Sequence, residues 1–460
     1  MIELLIEALG KECVLTGEEL SDRYTHIWKM SEGLEAKAVL LPKSTLQLSE
    51  ALKICHLHNQ PVNVHGGLTN LVGATETARD EVVISLEKMN QIEEVDALSR
   101  SMTIQAGVKL EEVQNAAKEA GLLFPLNFGA KGSAHMGGVI STNAGGLRVF
   151  RYGMTRALVL GLEVVLADGT IINSLKKIIK DNSAYDLKQM FIGSEGTLGV
   201  ISRAVLKLVE SPKSRNSAFV AFNDYEKVVA FLKYIDRGLA GTLSGFELIW
   251  QDCYVGMTSE PALMKPPLPQ DYKYYVLIES LGGNQTEDQE KMQSLLETAL
   301  EENMILDAAM AMTESDLNWF WTIREDVHAI VSRCKVDQHF DISMPIPNIG
   351  PVIDQILKQL ESVEHVNQDQ KFVFGHVADG NVHLVIGKDS ADQKVTNAVN
   401  DVIYAPLKDL GGSVSAEHGI GTHKKAYLPM CRSEAEIALM ITMKNALDPK
   451  SILNPGRVIG

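Results

Sequence analysis

His376 and His383 lie in FVFGHVADGNVHLVI (372–386), two apolar runs around Asp379-Gly380. Asp-Gly is favoured at the centre of a two-residue hairpin turn. With those two residues as the turn, Ala378 faces Asn381, Val377 faces Val382, and His376 falls opposite His383. Such a cross-strand pair has Cβ atoms about 4.5–5.5 Å apart on one face, within reach of a single Zn2+ or Mn2+. Glu417, in SAEHGIG (415–421), offers a third donor. Two imidazoles and a carboxylate leave coordination positions open for substrate, as in catalytic metal sites. Two edge-strand histidines beside a surface turn would show the same spacing. The hairpin register and the later Glu-His in a glycine-rich turn favour the metal.

A second chemical signal is Arg324 in WTIREDVHAIV (321–331), which reads as a helix start. Arg324 and His328 stand at i,i+4 and share a face there. A planar guanidinium suits a substrate carboxylate, which it can hold with two hydrogen bonds. The alternative is a surface Arg–Glu pair.

Three glycine segments precede these: NVHGGLTNLVGAT (63–75), NFGAKGSAHMGGVISTNAGGLRVFRYG (127–153) and GSEGTLGVI (193–201). Glycine lets backbone approach a ligand closely, and successive N–H groups can form a nest for phosphate oxygens. No segment is a P-loop or a G-x-G-x-x-G fingerprint. Tight turns alone would explain one such loop but explain three poorly.

The elements that must position these residues alternate α and β over 36–210. The stretch 44–59 has helical apolar spacing, and PVNVHGG reads as a strand running into a glycine loop. VVISLEKMNQIEEVD and SMTIQAGV read as strands, VKLEEVQNAAKEAG as a helix ended by Gly121, and LVLGLEVVLADGTII as a hairpin through Asp168-Gly169. A polar stretch with Pro212 marks a boundary near 209–217. Beyond it, SAFVAFNDYEKVVAFLKYI, YKYYVLIESL and TEDQEKMQSLLETALEEN predict an antiparallel sheet covered by helices on one face, and 260–272, with four prolines, predicts a loop.

The 460 residues suffice for two or three domains, and 45% hydrophobic and 22% charged residues are ordinary for a globular protein. A formal charge of −16 argues against a nucleic-acid or anionic-membrane surface. An anionic substrate would therefore need locally concentrated positive charge. Five scattered cysteines without C-x-x-C argue against a disulfide framework or a cysteine-bound iron–sulfur cluster. The N-terminus lacks a signal-peptide pattern and no apolar run reaches membrane-spanning length, so the expectation is a cytoplasmic protein.

GAKGSAHMGG…STNAGGLRVFRYG…VLGLEVVLADGT and FIGSEGTLGVI resemble the flavin-binding core of the FAD-linked oxidases with the vanillyl-alcohol-oxidase-like fold. The match is to the branch of D-2-hydroxyglutarate dehydrogenase, D-lactate dehydrogenase and the glycolate oxidase flavin subunit, and it spans nearly the whole chain. The resemblance implies an α+β architecture: a two-part FAD domain over 1–210, an α+β cap with an antiparallel sheet over 211–405, and a helical C-terminal segment, 406–460, returning to the FAD domain. Gly66, Gly67, Leu68, Thr69, Asn70 and Leu71 would wrap the pyrophosphate. Gly132, Ser133, Gly137, Gly138, Thr142 and Asn143 would line the flavin, with Gly196, Val200 and Ile201 closing the site. Relatives with tethered flavin carry a histidine after the Gly-Gly pair; Leu68 stands there, implying non-covalent FAD. His376, His383 and Glu417 would be ligands of Zn2+ or Mn2+, His418 the general base, and Arg324 the carboxylate-binding residue. His328, His339 and Asn381 would contact substrate. His328, His339 and Val385 depart from the 2-hydroxyglutarate pattern, which leaves the acid open between D-lactate and D-2-hydroxyglutarate types.

The activity implied is oxidation of a small 2-hydroxy acid to the 2-oxo acid by hydride transfer to the flavin, with electrons passed to an electron-transferring flavoprotein, a quinone or a partner subunit; the oligomeric state is left open, a homodimer being one candidate. Competing readings are a transferase of the alkylglycerone-phosphate synthase branch using FAD without net oxidation, a metal hydrolase, and a non-catalytic flavin module.

Overall fold

A computed structural model describes residues 1–27 and 33–459. The chain forms two compact units: 1–145 with 153–211 and 417–460, and 146–152 with 212–416.

The first unit holds two main sheets. One runs in the order Val14–Leu15, Ala38–Leu40, Val82–Ser85, Val62–His65, its last three strands parallel. Ala38–Leu40 and Val82–Ser85 are buried throughout, so they read as continuous apolar runs, as strands covered on both faces do. The helix Thr45–Leu57 starts at Ser44, whose side chain accepts from Gln47 N. It buries Leu48, Ala51, Leu52 and Cys55, the i, i+3, i+4, i+7 stripe of a core-facing helix. The second sheet is antiparallel: Ile92–Asp96, Ser101–Gln105, Val200–Lys207, Val159–Val165, Ile171–Ser174. Its last two strands form the expected hairpin, closed by Gly169 at φ +85. The C-terminal helix Glu434–Leu447 joins this unit through buried Lys444, whose Nζ donates to Asp448 Oδ2 (2.6 Å), Leu453 O (2.8 Å) and Thr197 O (2.9 Å).

The second unit is built on a seven-stranded sheet in the order Asp307–Met310, Ser214–Phe222, Tyr274–Gly282, Leu243–Trp250, Val366–His376, Asn381–Lys388, Val336–Ser343. Every pairing is antiparallel. Helices cover both faces and not one. Phe219 and Phe222 point to opposite sides of their strand. Phe219 packs on Phe320 of the helix Glu314–Glu325 with ring centroids 5.2 Å apart, and Phe222 on Phe231 of the helix Tyr225–Leu239 at 5.5 Å. Two-sided cover also explains why Leu243–Trp250 is buried at every residue. Two carboxylates interrupt these apolar strands, Glu247 and Glu279, both fully buried. Glu279 accepts from Arg215 Nε (2.7 Å), Arg148 Nε (2.9 Å) and Ser244 Oγ (2.9 Å), as a charge removed from water must.

Candidate functional site

The histidine hairpin is longer than its Asp-Gly turn predicts. Val366–His376 ends at His376, a single 3-10 turn spans Val377–Asp379, and Gly380 at φ +87 leads into Asn381–Lys388. Phe374, not His376, lies opposite His383. The register has moved by two residues. An even shift keeps side chains on the same face, where a shift of one would turn them away. His376 and His383 therefore remain neighbours, with perpendicular rings and centroids 5.1 Å apart. Each offers a ligand nitrogen within 4.8 Å of the other. At Gly375 the returning strand comes so close that a Cβ would sit 2.5 Å from Asn381 O, so the turn is held tight.

Behind His376 stands Glu247, directly opposite it on the neighbouring strand. Its Oε1 lies 2.8 Å from His376 Nδ1. Its Oε2 accepts from Arg324 Nε (2.9 Å) and pairs with Nη2 (2.8 Å). Burial alone would raise this carboxyl; the charges of His376 and Arg324 hold it below its ordinary range. A carboxylate on Nδ1 orients this ring in the way that carboxylates orient metal-ligating histidines. Arg324 is thus buried, packed over the Phe374 ring at 4.7 Å, and its ion pair is an interior one, not a surface Arg–Glu pair. The helix carrying it ends at Glu325, and Asp326 caps a separate short helix, Val327–Val331. Arg324 and His328 consequently do not share a helix face, and His328 is exposed.

Asp341 is directly opposite His383 and fully buried. Its Oδ1 accepts from Asn381 Nδ2 (2.9 Å), which also donates to Ile342 O (3.1 Å). Asn381 Nδ2 is thereby tied to the strand Val336–Ser343, while its buried Oδ1 has no hydrogen-bond partner among the described residues. His339, two residues before Asp341, is exposed and sits 2.7 Å from Asp337. The second unit ends at Ala416, whose N–H donates to Asp341 O (3.3 Å). Glu417 follows one peptide link (about 3.8 Å between Cα atoms) beyond it and His418 two, and they open the segment belonging to the first unit. The donors His376 and His383 with nearby carboxylates suit Zn2+ or Mn2+.

In the first unit the glycine segments meet one another. A Cβ on Gly67 would collide with Ser133 O, and one on Gly66 would lie 3.5 Å from His135 Cβ and 3.7 Å from Gly138 Cα. Beside Gly138 a Cβ would meet nothing within 4 Å, so that backbone borders open space. Leu68 takes φ +56 and Asn143 φ +50, positions that cost a side-chain-bearing residue on the order of 1–2 kcal/mol. Asn70 Oδ1 accepts from Ala74 N (3.0 Å) and Val72 N (3.3 Å), closing a turn over 70–74 at the end of the first glycine loop. Thr142 Oγ1 donates to Gly138 O (3.0 Å), and Asn143 Oδ1 accepts from Arg156 N (2.9 Å). His65 Nε2 and His135 Nδ1 are buried without a hydrogen-bond partner among the described residues. Burial pushes His65 down to about 3 and lowers His135 as well. Open glycine backbone beside orphaned buried polar atoms fits a polar ligand such as a dinucleotide. Val200 and Ile201 are core residues of the five-stranded sheet. Sequence reasoning does not single out Glu247, Asp341 or Glu195; a lone charge inside an apolar strand, LSGFELIW, is the signal for Glu247, whereas the strand of Asp341, VDQHFDIS, is half polar and gives none.

Residues 211–458 match the family described as FAD linked oxidases, C-terminal domain, and residues 36–174 match the FAD binding domain. The mitochondrial D-2-hydroxyglutarate dehydrogenase of Rattus norvegicus is 36% identical over 454 residues, 97% of this chain and 84% of that protein. A putative mitochondrial D-lactate dehydrogenase of Schizosaccharomyces pombe is 36% identical, covering 99% of this chain and 87% of that protein. Among solved structures, p-cresol methylhydroxylase with substrate bound superposes with a TM-score of 0.75 at 16% identity, covering 100% of this chain and 96% of that one. That likeness shows the vanillyl-alcohol-oxidase-type fold.

Proposed function

The chain belongs to the FAD-linked oxidase family, and we propose that this FAD-dependent 2-hydroxy-acid dehydrogenase uses a divalent metal to oxidise a small D-2-hydroxy acid of the lactate or 2-hydroxyglutarate type to its 2-oxo acid. The observation that carries the metal-assisted reading is the perpendicular His376–His383 pair on one sheet face, with Glu247 engaging His376 Nδ1. In this reading His376, His383 and Glu417 hold Zn2+ or Mn2+. Non-covalent FAD, which the residues at 66–71, 132–143 and 196–201 would hold, would supply the hydride acceptor, and the ion would supply Lewis acidity toward the substrate hydroxyl. His418 takes the hydroxyl proton. Arg324, its Nε–Nη2 edge committed to Glu247, presents the remaining edge to the substrate carboxylate. Ion, Arg324 and histidines supply local positive charge in a chain of −16.

Anaerobic mixing with D- and L-2-hydroxy acids, read by flavin absorbance, tests the reading. Bleaching by a D acid of the lactate or 2-hydroxyglutarate type is expected. A flavin that no 2-hydroxy acid reduces would point to the transferase of the same fold.

A further inference from the structure

We propose that Glu195 is a positioning residue that fixes the backbone carrying His418 onto the flavin-loop region, an inference that rests on the reading of His418 as the base. Glu195 lies in the third glycine segment, yet its carboxylate does not face solvent; it is 8% exposed. Oε1 accepts from Ile420 N at 2.7 Å and Oε2 from Gly421 N at 2.9 Å. Two successive amides, starting two residues after His418, are thus held by one carboxylate. Glu195 is itself fixed: it takes φ +51, its N–H donates to Ser141 O (2.8 Å), and its carbonyl accepts from Asn454 Nδ2 (2.6 Å).

The partner segment is shaped for this clamp. Gly419 has φ +85, and a Cβ there would meet Glu195 Oε1 at 2.8 Å. Gly421 has φ +52 and abuts Val72 O, which accepts from Thr422 N (3.0 Å) and His423 N (3.1 Å). The residues after His418 are therefore tied to the first glycine loop through Val72 and to the third through Glu195. A carboxylate buried on backbone donors is an expensive way to close a loop. What it provides is a fixed backbone angle one glycine away from the base, and proton transfer depends on such placement.

Glu195→Gln, Glu195→Ala and His418→Ala are compared as holoenzymes. Glutamine keeps the shape and one acceptor oxygen, so it retains the fold should alanine fail. In Glu195→Gln, hydrogen exchange at the Ile420 and Gly421 amides should quicken with flavin content unchanged. Flavin reduction at saturating D-2-hydroxy acid should slow on the order of 10- to 100-fold with KM little altered. The solvent isotope effect on that step should rise as proton transfer becomes limiting. Unchanged exchange at both amides overturns the proposal, as does faster exchange with wild-type reduction rate and isotope effect. If His418→Ala itself reduces flavin at the wild-type rate, the assignment of the base fails, and this proposal with it.

Discussion

Nδ1 of His376 lies 2.8 Å from Oε1 of Glu247, a fully buried carboxylate that also holds Arg324. One side chain therefore orients a proposed metal ligand and a proposed substrate anchor. Removing such a partner behind a ligating histidine weakens metal binding by roughly 10- to 100-fold. Glu247→Gln should show that loss in chelator competition, with flavin content intact. Wild-type metal affinity would leave Glu247 a purely structural residue.

Arg324 offers a planar fork, which lysine lacks. Arg324→Lys keeps the charge opposite Glu247 but loses paired donation to a carboxylate. The expected drop in kcat/KM is on the order of 2–3 kcal/mol, about 30- to 150-fold. Steady-state kinetics on the flavin-replete variant decides it; an unchanged kcat/KM would take Arg324 away from the substrate.

His65 gives a pH signature. Burial lowers its folded pKa to about 3 from 6.5, so the folded state keeps it neutral while the unfolded chain takes up a proton. Stability is full above about pH 6.5 and falls as pH drops toward 3, by on the order of 2 kcal/mol at about pH 5. Thermal unfolding of His65→Gln should decline less steeply over that window than wild type. Parallel curves would show that His65 does not carry the effect.

Leu68 follows the Gly66-Gly67 pair at φ +56, and the FAD proposed here is not tethered to that loop. Acid precipitation should release the flavin into the supernatant. Colour left in the pellet would mean a covalent link.

Much of the site was legible because periodicity survives local error. The Asp379-Gly380 signal placed the turn, and the observed 3-10 turn moved the register by two, an even number that left His376 and His383 on one face. Arg324 and His328 fared differently: Asp326 Oδ1 accepts from Ala329 N (3.1 Å), a cap that ends one helix and starts another, and an Asp in that place is a readable cap signal. Glu247 stands out as a charge in an apolar strand and Asp341 does not, its strand VDQHFDIS being half polar; the partners of both lie 77 and 40 residues away, which no local pattern encodes. The sheet covered on one face gives way to two-sided cover for a related reason: unbroken apolar strands mean cover on both faces.

The central claim is that the His376–His383 pair serves a catalytic metal. The direct measurement is anaerobic flavin bleaching by a D-2-hydroxy acid, with enzyme as purified, after chelation, and after Zn2+ or Mn2+ is restored. The account predicts that chelation abolishes bleaching while FAD stays bound, and that one of the two ions restores it. Chelated enzyme, shown by elemental analysis to be metal-free, that bleaches at the original rate would contradict it.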